Sequence, residues 1–273
     1  LIPIALVSGP FLSDLFLSLI ALYGLIKFIK YKKIKIFFKN PIILILSIFY
    51  LFVLVNSLLS EYIYNSLQHS LFYFRYIFFI IAIYILLEKN YLQVLKRLSF
   101  IIFFTCILVS MDLFIQFIFG FNILGFQMND NLQGQRFSGL FRDELIAGSY
   151  LSRLMPFSIL FYFFIDKKNK DFKFKIFSIL GICLIFSGVF LSGERIATFY
   201  STIFMFFFII LILKNKKTRN VLISILILIF SVFLLTDNNM KKRIINVTIE
   251  SFNMTTNLES KIIFSPLHHV HYL

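Results

Sequence analysis

The sequence predicts an all-α fold, a polytopic transmembrane helix bundle, and three observations carry that prediction. Apolar runs long enough to cross a bilayer recur every 20 to 30 residues. Hydrophobic residues make up 59% of the chain, with 39 Phe and no Trp, and mean hydropathy is +0.89, well above a soluble domain. Lysine and arginine gather between alternate runs, the charge pattern of a multi-pass membrane protein.

Taken in order, residues 1–7 read as the tail of an earlier helix. About eight spans follow, over roughly 11–29, 41–59, 71–87, 99–119, 145–165, 176–191, 196–213 and 221–235. A bilayer core needs about 20 apolar residues, so the two shortest runs extend into their flanks. From 236 the chain turns polar, and 236–273 reads as the beginning of a large outer loop. The opening "LIPIALVSGPFLSDLF" has no initiator Met and no basic n-region, so it is not a signal peptide. The end, "HHVHYL", falls inside a polar segment. Residues 1–273 are therefore expected to be a single membrane domain, a fragment incomplete at both ends, with no separate soluble domain. Cys106 and Cys183 lie inside apolar runs and act as small hydrophobes, not as a disulfide or metal framework.

The basic loops are "KFIKYKKIKIFFK" (27–39), "EKNYLQVLKR" (88–97), "DKKNKDFKFK" (166–175) and "KNKKTR" (214–219). They hold 18 of the 27 Lys and Arg residues against three acids, a net of +15, and the positive-inside rule faces them to the cytoplasm. The loops near 60–70, 120–144, 192–195 and from 236 then face outward. Outside the basic loops the net charge is −1, so the pI of 9.7 is a topology signal and no nucleic-acid partner is implied. Sixteen of 19 Lys are cytoplasmic, whereas six of eight Arg are not: Arg75, Arg136, Arg142, Arg153, Arg195 and Arg243. Lysine serves orientation as well as arginine does. The guanidinium fork is matched to phosphate and carboxylate, which points to a second use at the outer face.

Arg142, Ser149 and Arg153 are spaced by seven and four, so one helix would put them on a single stripe, with Gly148 beside it to admit another group. The alternative is an arginine neutralised by Asp112, Asp143 or Glu144. Asp112 and Gln116, one turn apart, read as interhelical hydrogen-bonding polar residues. Arg75 reads as snorkelling to the interface. In "LSGERIATF" (191–199), Ser192 or Gly193 would cap the following helix, and Arg195 would stand beside its free N–H groups as an anion site. The competing reading makes Glu194 the anion at that helix start. His268, His269 and His271 have no carboxylate or Cys at ligand spacing, so no metal is expected. There is no Walker loop, dinucleotide glycine pattern or nucleophile elbow, which disfavours a nucleotide-driven pump and implies no cofactor.

Together, "DLFIQFIFGFNILG", "RFSGLFRDELIAGSYL", "FLSGERIATF" and a long outer loop resemble the O-antigen ligase and O-antigen polymerase superfamily, over about residues 105–272. The resemblance implies a membrane glycosyltransferase of lipopolysaccharide biosynthesis. It would move a glycan from an undecaprenyl-diphosphate carrier to lipid A core (ligase) or to another lipid-linked glycan (polymerase). The site would lie on the outer, periplasmic face of the bacterial inner membrane, without nucleotide or metal. By resemblance, the family's Arg in its "SGxR" turn falls on Arg195, and the Arg opening "RxSGxF" falls on Arg136. Arg142, Ser149 and Arg153 join them as donor-binding candidates. The family's general base is a His in the large outer loop. Here "HHVHY" resembles the segment opening that loop's later half, where many members carry Arg at the position of His268. The His-Asn motif would lie beyond 273, so the base is unassigned, with His268 and His271 the first places to look. The fragment is then expected to bind donor without transferring glycan. The rival class is a lipid-linked oligosaccharide flippase, whose charges would line a through-path instead of crowding one side. A third reading is a scaffold whose arginines only pair with acids.

Overall fold

The computed structural model describes residues 2–30, 40–127, 129–131, 134–142, 144–168 and 172–212, with isolated helical positions between 216 and 231. Eight helices are described: α1 (Ile2–Ser8), α2 (Pro10–Lys30), α3 (Pro41–Leu58), α4 (Ile63–Leu71), α5 (Phe74–Phe119), α6 (Ala147–Lys168), α7 (Phe172–Leu191) and α8 (Arg195–Phe207). A π-helical turn, Phe208–Ile212, continues α8. A two-stranded hairpin, β1 (Asn129–Asn131) and β2 (Gly134–Arg136), is the one departure from helix large enough to pair strands among the described residues.

Six segments are long and apolar enough to cross a membrane: Phe11–Lys30, Pro41–Leu58, Ile63–Glu88, Asn90–Phe119, Ala147–Ile165 and Lys173–Leu191. This is the helix set of a multi-pass membrane protein. Arg195–Ile210 is apolar but shorter. The span expected over 221–235 falls mostly, and the outer loop expected over 236–273 wholly, outside the described residues.

Local chemistry sets several boundaries. Gly9, at φ 121°, separates α1 from α2. Asn40 caps α3, its Oδ1 accepting the Ile42 N–H at 3.0 Å, and Pro41 occupies the first helical position. Two stretches read as loops from sequence are helical. Residues 63–71, expected in an outer loop, form the amphipathic α4. Residues 91–97 of the basic "EKNYLQVLKR" stretch belong to α5, which breaks only at Asn90 (φ −144°, ψ 46°). That stretch is built of good helix formers, and long basic side chains reach water from a helix as readily as from a loop.

The chain packs as two compact units, Leu1–Thr105 and Cys106–Leu273. In the first, Ile43, Ile77 and Ile81 form a core with Phe28, Tyr50 and Phe78 against it. A Cβ on Gly24 would overlap the Phe78 carbonyl, so glycine lets α2 and α5 touch backbone to backbone. Arg75, expected to snorkel to the interface, pairs with Asp14 at 3.2 Å, donates to Ser18 Oγ and lies 5.3 Å from the Tyr76 ring centre. Both side chains of the ion pair stay partly exposed, 26% and 57%. In the second unit, Leu113, Leu151, Met155, Ile182 and Ile185 are fully buried. Gly188 lies against Ser110, where an added Cβ would come 2.7 Å from the serine Oγ.

Candidate functional site

The site is assembled by the loop leaving α5 and by the starts of α6 and α8, all within the second unit. Asp112 and Gln116, both fully buried near the end of α5, organise the loop. Asp112 Oδ1 accepts the Ile123 N–H at 2.9 Å. Gln116 Oε1 accepts the Gly139 N–H at 2.8 Å, and its Nε2 donates to the Phe126 carbonyl. Asn122, 1% exposed, donates to the Gly139 carbonyl and accepts from the N–H groups of Leu124 and Phe126. The partner of Asp112 and Gln116 is thus loop backbone folded back onto the helix end, not a second helix. These three side chains answer backbone groups at Ile123, Leu124, Phe126 and Gly139, which fixes the loop's shape. Phe137 follows the hairpin and packs edge-on against Phe117, closing the loop over α5.

The turn between α7 and α8 docks on the start of α6. Gly193, at φ 71° and buried, reverses the chain, and Glu194 takes the N-cap position of α8. The sequence gives the cap to Ser192 or Gly193, with Glu194 as the anion of its own helix start only as the competing reading. Neither arrangement forms. Ser192 Oγ donates to the Val189 carbonyl, and no side chain caps α8. The Glu194 carboxylate crosses to α6, accepting the Gly148 N–H and the Ser149 N–H, each at 3.0 Å, and the Ser149 hydroxyl. These donors are in the first turn of α6, where N–H groups lack intrahelical partners and a negative charge is favoured. Gly148 makes the approach possible: a Cβ there would overlap Ser192 Oγ and stand 3.1 Å from the Cβ atoms of Ser192 and Glu194.

Three arginines meet at this junction. Arg136, at the end of β2, donates from Nη2 to the Leu145 carbonyl at 3.0 Å, and the same nitrogen is 4.0 Å from Glu194 Oε1. Arg153, one turn beyond Ser149, and Arg195, the first residue of α8, are exposed, and neither is ion-paired to a described acid. With Ser149, Glu194 and Tyr200 they line a cleft of about 560 Å³, walled on the α8 side by Ile196 and Phe199. A second hollow of about 420 Å³ shares Ser149, Arg153, Ile196 and Tyr200 and extends toward Phe204. The cleft therefore combines two exposed guanidinium groups, a third partly covered one and an apolar flank.

Not every expected residue arrives. Arg142 precedes α6 by five residues, at φ 57° after the short 3₁₀ turn Gly139–Phe141, so it cannot share a helical stripe with Ser149 and Arg153. Its guanidinium lies 5.8 Å from the Phe126 ring centre and does not line the cleft. Arg142 lies outside helical geometry and the helix starts only at Ala147, where Glu194 accepts the first-turn N–H groups of Gly148 and Ser149. Ser149, expected to meet ligand, gives both its N–H and its hydroxyl to Glu194. His268 and His271 lie outside the described residues. Sequence reasoning missed the bridging role of Glu194, the loop staple Asn122 and the Phe199–Tyr200 wall. An Asn inside "GFNILGF" was the available signal for the staple; nothing local signalled a partner for Glu194 46 residues away. No protein-family profile, characterised protein or solved structure matches this chain.

Proposed function

We propose that the arginine cleft holds the diphosphate of an undecaprenyl-diphosphate-linked glycan, and that the chain belongs to a membrane glycosyltransferase of the O-antigen ligase or polymerase kind. The observation that carries this reading is the charge balance of the cleft. Among the described residues, Arg136, Arg153 and Arg195 line the cleft with one carboxylate, Glu194, whose oxygens already accept three hydrogen bonds. That leaves a net positive, fork-shaped donor set for an anion with several oxygens. The order of the "RFSGLF" and "SGER" stretches supports the same reading.

The chemistry needs little more than fixed cations. The bond from the sugar anomeric carbon to the diphosphate oxygen breaks, and the electron pair leaves with the diphosphate. The acceptor hydroxyl oxygen forms the new bond to that carbon, and its proton passes to a base in the outer loop. Charge developing on the leaving diphosphate is stabilised by guanidinium groups already in position. The donor carries its own activation, so no nucleotide takes part. The site faces the periplasmic side of the inner membrane, by the positive-inside rule.

The test is incubation of the full-length protein with undecaprenyl-diphosphate glycan and each acceptor, with no nucleotide added. Glycan on lipid A core identifies a ligase, and lengthened lipid-linked glycan a polymerase. Donor that crosses a liposome bilayer with its glycosidic bond intact identifies the rival flippase and overturns the proposal.

A further inference from the structure

Resting on that reading of the cleft, we propose that Glu194 is a positioning residue that sets the distance and orientation between the arginines of α6 and α8. One residue ties both helix starts. Through its backbone Glu194 begins α8, its carbonyl accepting the Thr198 N–H at 3.0 Å and the Thr198 hydroxyl at 2.8 Å. Through its side chain it holds the first turn of α6 at Gly148 and Ser149. Arg195 is the next residue on one side of this bridge, and Arg153 is one turn beyond Ser149 on the other. Arg136, the third cation, lies 4.0 Å from the same carboxylate. All three guanidinium groups are therefore referenced to a single residue, Arg195 through its backbone and the other two through its side chain.

The roles open to a carboxylate here differ in sign. An acid that merely offsets positive charge weakens anion binding, so its removal strengthens binding; emptying the start of α6 would also free two N–H donors for the ligand. A positioning acid does the reverse, because losing it lets the two walls drift and the multidentate fit goes with them. Replacement by Gln is suited to tell them apart. The amide keeps the length and one acceptor oxygen, but its NH₂ must face either the Gly148 or the Ser149 N–H, donor against donor.

The experiment measures binding of undecaprenyl diphosphate to the full-length protein in nanodiscs of zwitterionic lipid, with thermal melting recorded alongside. Glu194→Gln is expected to bind about tenfold more weakly or worse, the scale of one lost hydrogen bond to a charged group. Glu194→Asp, which keeps the charge but is one methylene short, is expected to fall between wild type and Gln. In an Arg195→Ala background, Glu194→Gln is expected to cost clearly less than in the wild-type background, since the spacing between Arg153 and Arg195 that it sets no longer matters. A purely structural role would lower the melting temperature and cost the same factor in both backgrounds. If Glu194→Gln does not fold, Glu194→Asp carries the test. Equal or tighter binding by a folded Glu194 variant, or additive losses in the double variant, overturns the proposal. Failure of the wild type itself to bind removes the cleft reading and this inference with it, a result distinct from the variant outcomes.

Discussion

Gly148→Ala probes the junction on which the cleft depends. The added methyl would overlap Ser192 Oγ and press on two carbons, Ser192 Cβ and Glu194 Cβ, each 3.1 Å away. Rotating Ser192 relieves the overlap, but it breaks the 2.6 Å bond to the Val189 carbonyl inside a residue only 1% exposed. A neutral buried hydrogen bond is worth about 0.5–1.5 kcal/mol. The two 3.1 Å carbon contacts remain after rotation, so the turn must also back away from α6. Overpacking of this kind costs about 1–3 kcal/mol. The same movement lengthens the Glu194 bonds to Gly148 and Ser149, so donor binding should weaken along with stability. The assay uses the protein's own thiols: Cys106 is 0% and Cys183 3% exposed, so a thiol-reactive dye reports unfolding without added labels. A cost of that size lowers the melting temperature by about 2–4 °C per kcal/mol. Ser192→Gly in the Gly148→Ala protein removes both serine contacts and should recover most of the loss. A Gly148→Ala protein that melts and binds like wild type would show that the turn is not seated against α6, and the reasoning about the cleft would fail with it.

Arg195→Lys keeps the charge and loses the two-pronged donor, so transfer should fall about tenfold or more while the melting temperature holds; Lys35→Gln, in a loop assigned to the cytoplasm, should change transfer little. A well-expressed Arg195→Lys protein with normal turnover would retire the diphosphate clamp. Asn122→Ala removes one donated and two accepted hydrogen bonds from a buried loop, for an expected loss of about 2–3 kcal/mol in the same thiol melt. A melt within 1 °C of wild type, roughly a few tenths of a kcal/mol, would contradict the staple. Cysteines placed at Glu144 or Gln127, both exposed, should react with an impermeant reagent added from outside, and cysteines at Asn169 or Asn215 should not. Reversed labelling would invert the outer-face assignment.

Hydropathy read along the chain was enough to locate the spans that became α2, α3, α5, α6 and α7, because the free energy of moving a side chain into lipid is a property of that residue and its near neighbours. The sides assigned to the basic stretches and to the arginines rest on the positive-inside rule alone: 91–97 is helical, and 31–39, 169–171 and 213–215 lie outside the described residues. Asn40 and Pro41 punctuate the start of α3 through their own backbone, a local signal, whereas the cap expected at Ser192 or Gly193 does not form. Asn90 shows the limit: a break one residue wide left the helix continuing through a stretch whose charges looked like a loop.

Hydrogen-bond partners were decided by the tertiary structure. Arg142 has helical spacing to Ser149, yet the helix begins at Ala147, and that stripe never forms. Arg75 carries an interfacial signature, but Asp14 on a neighbouring helix captures it. Glu194 sits beside its own helix start, whose N–H groups it could have met, and reaches α6 instead. For Glu194 the reason is that the start of α6 leaves backbone N–H donors that a carboxylate can accept. For Arg75 it is an acid that packing brings to 3.2 Å, and for Arg142 an aromatic face 5.8 Å away. In each case the partner is set by a distance in space that spacing along the sequence does not encode.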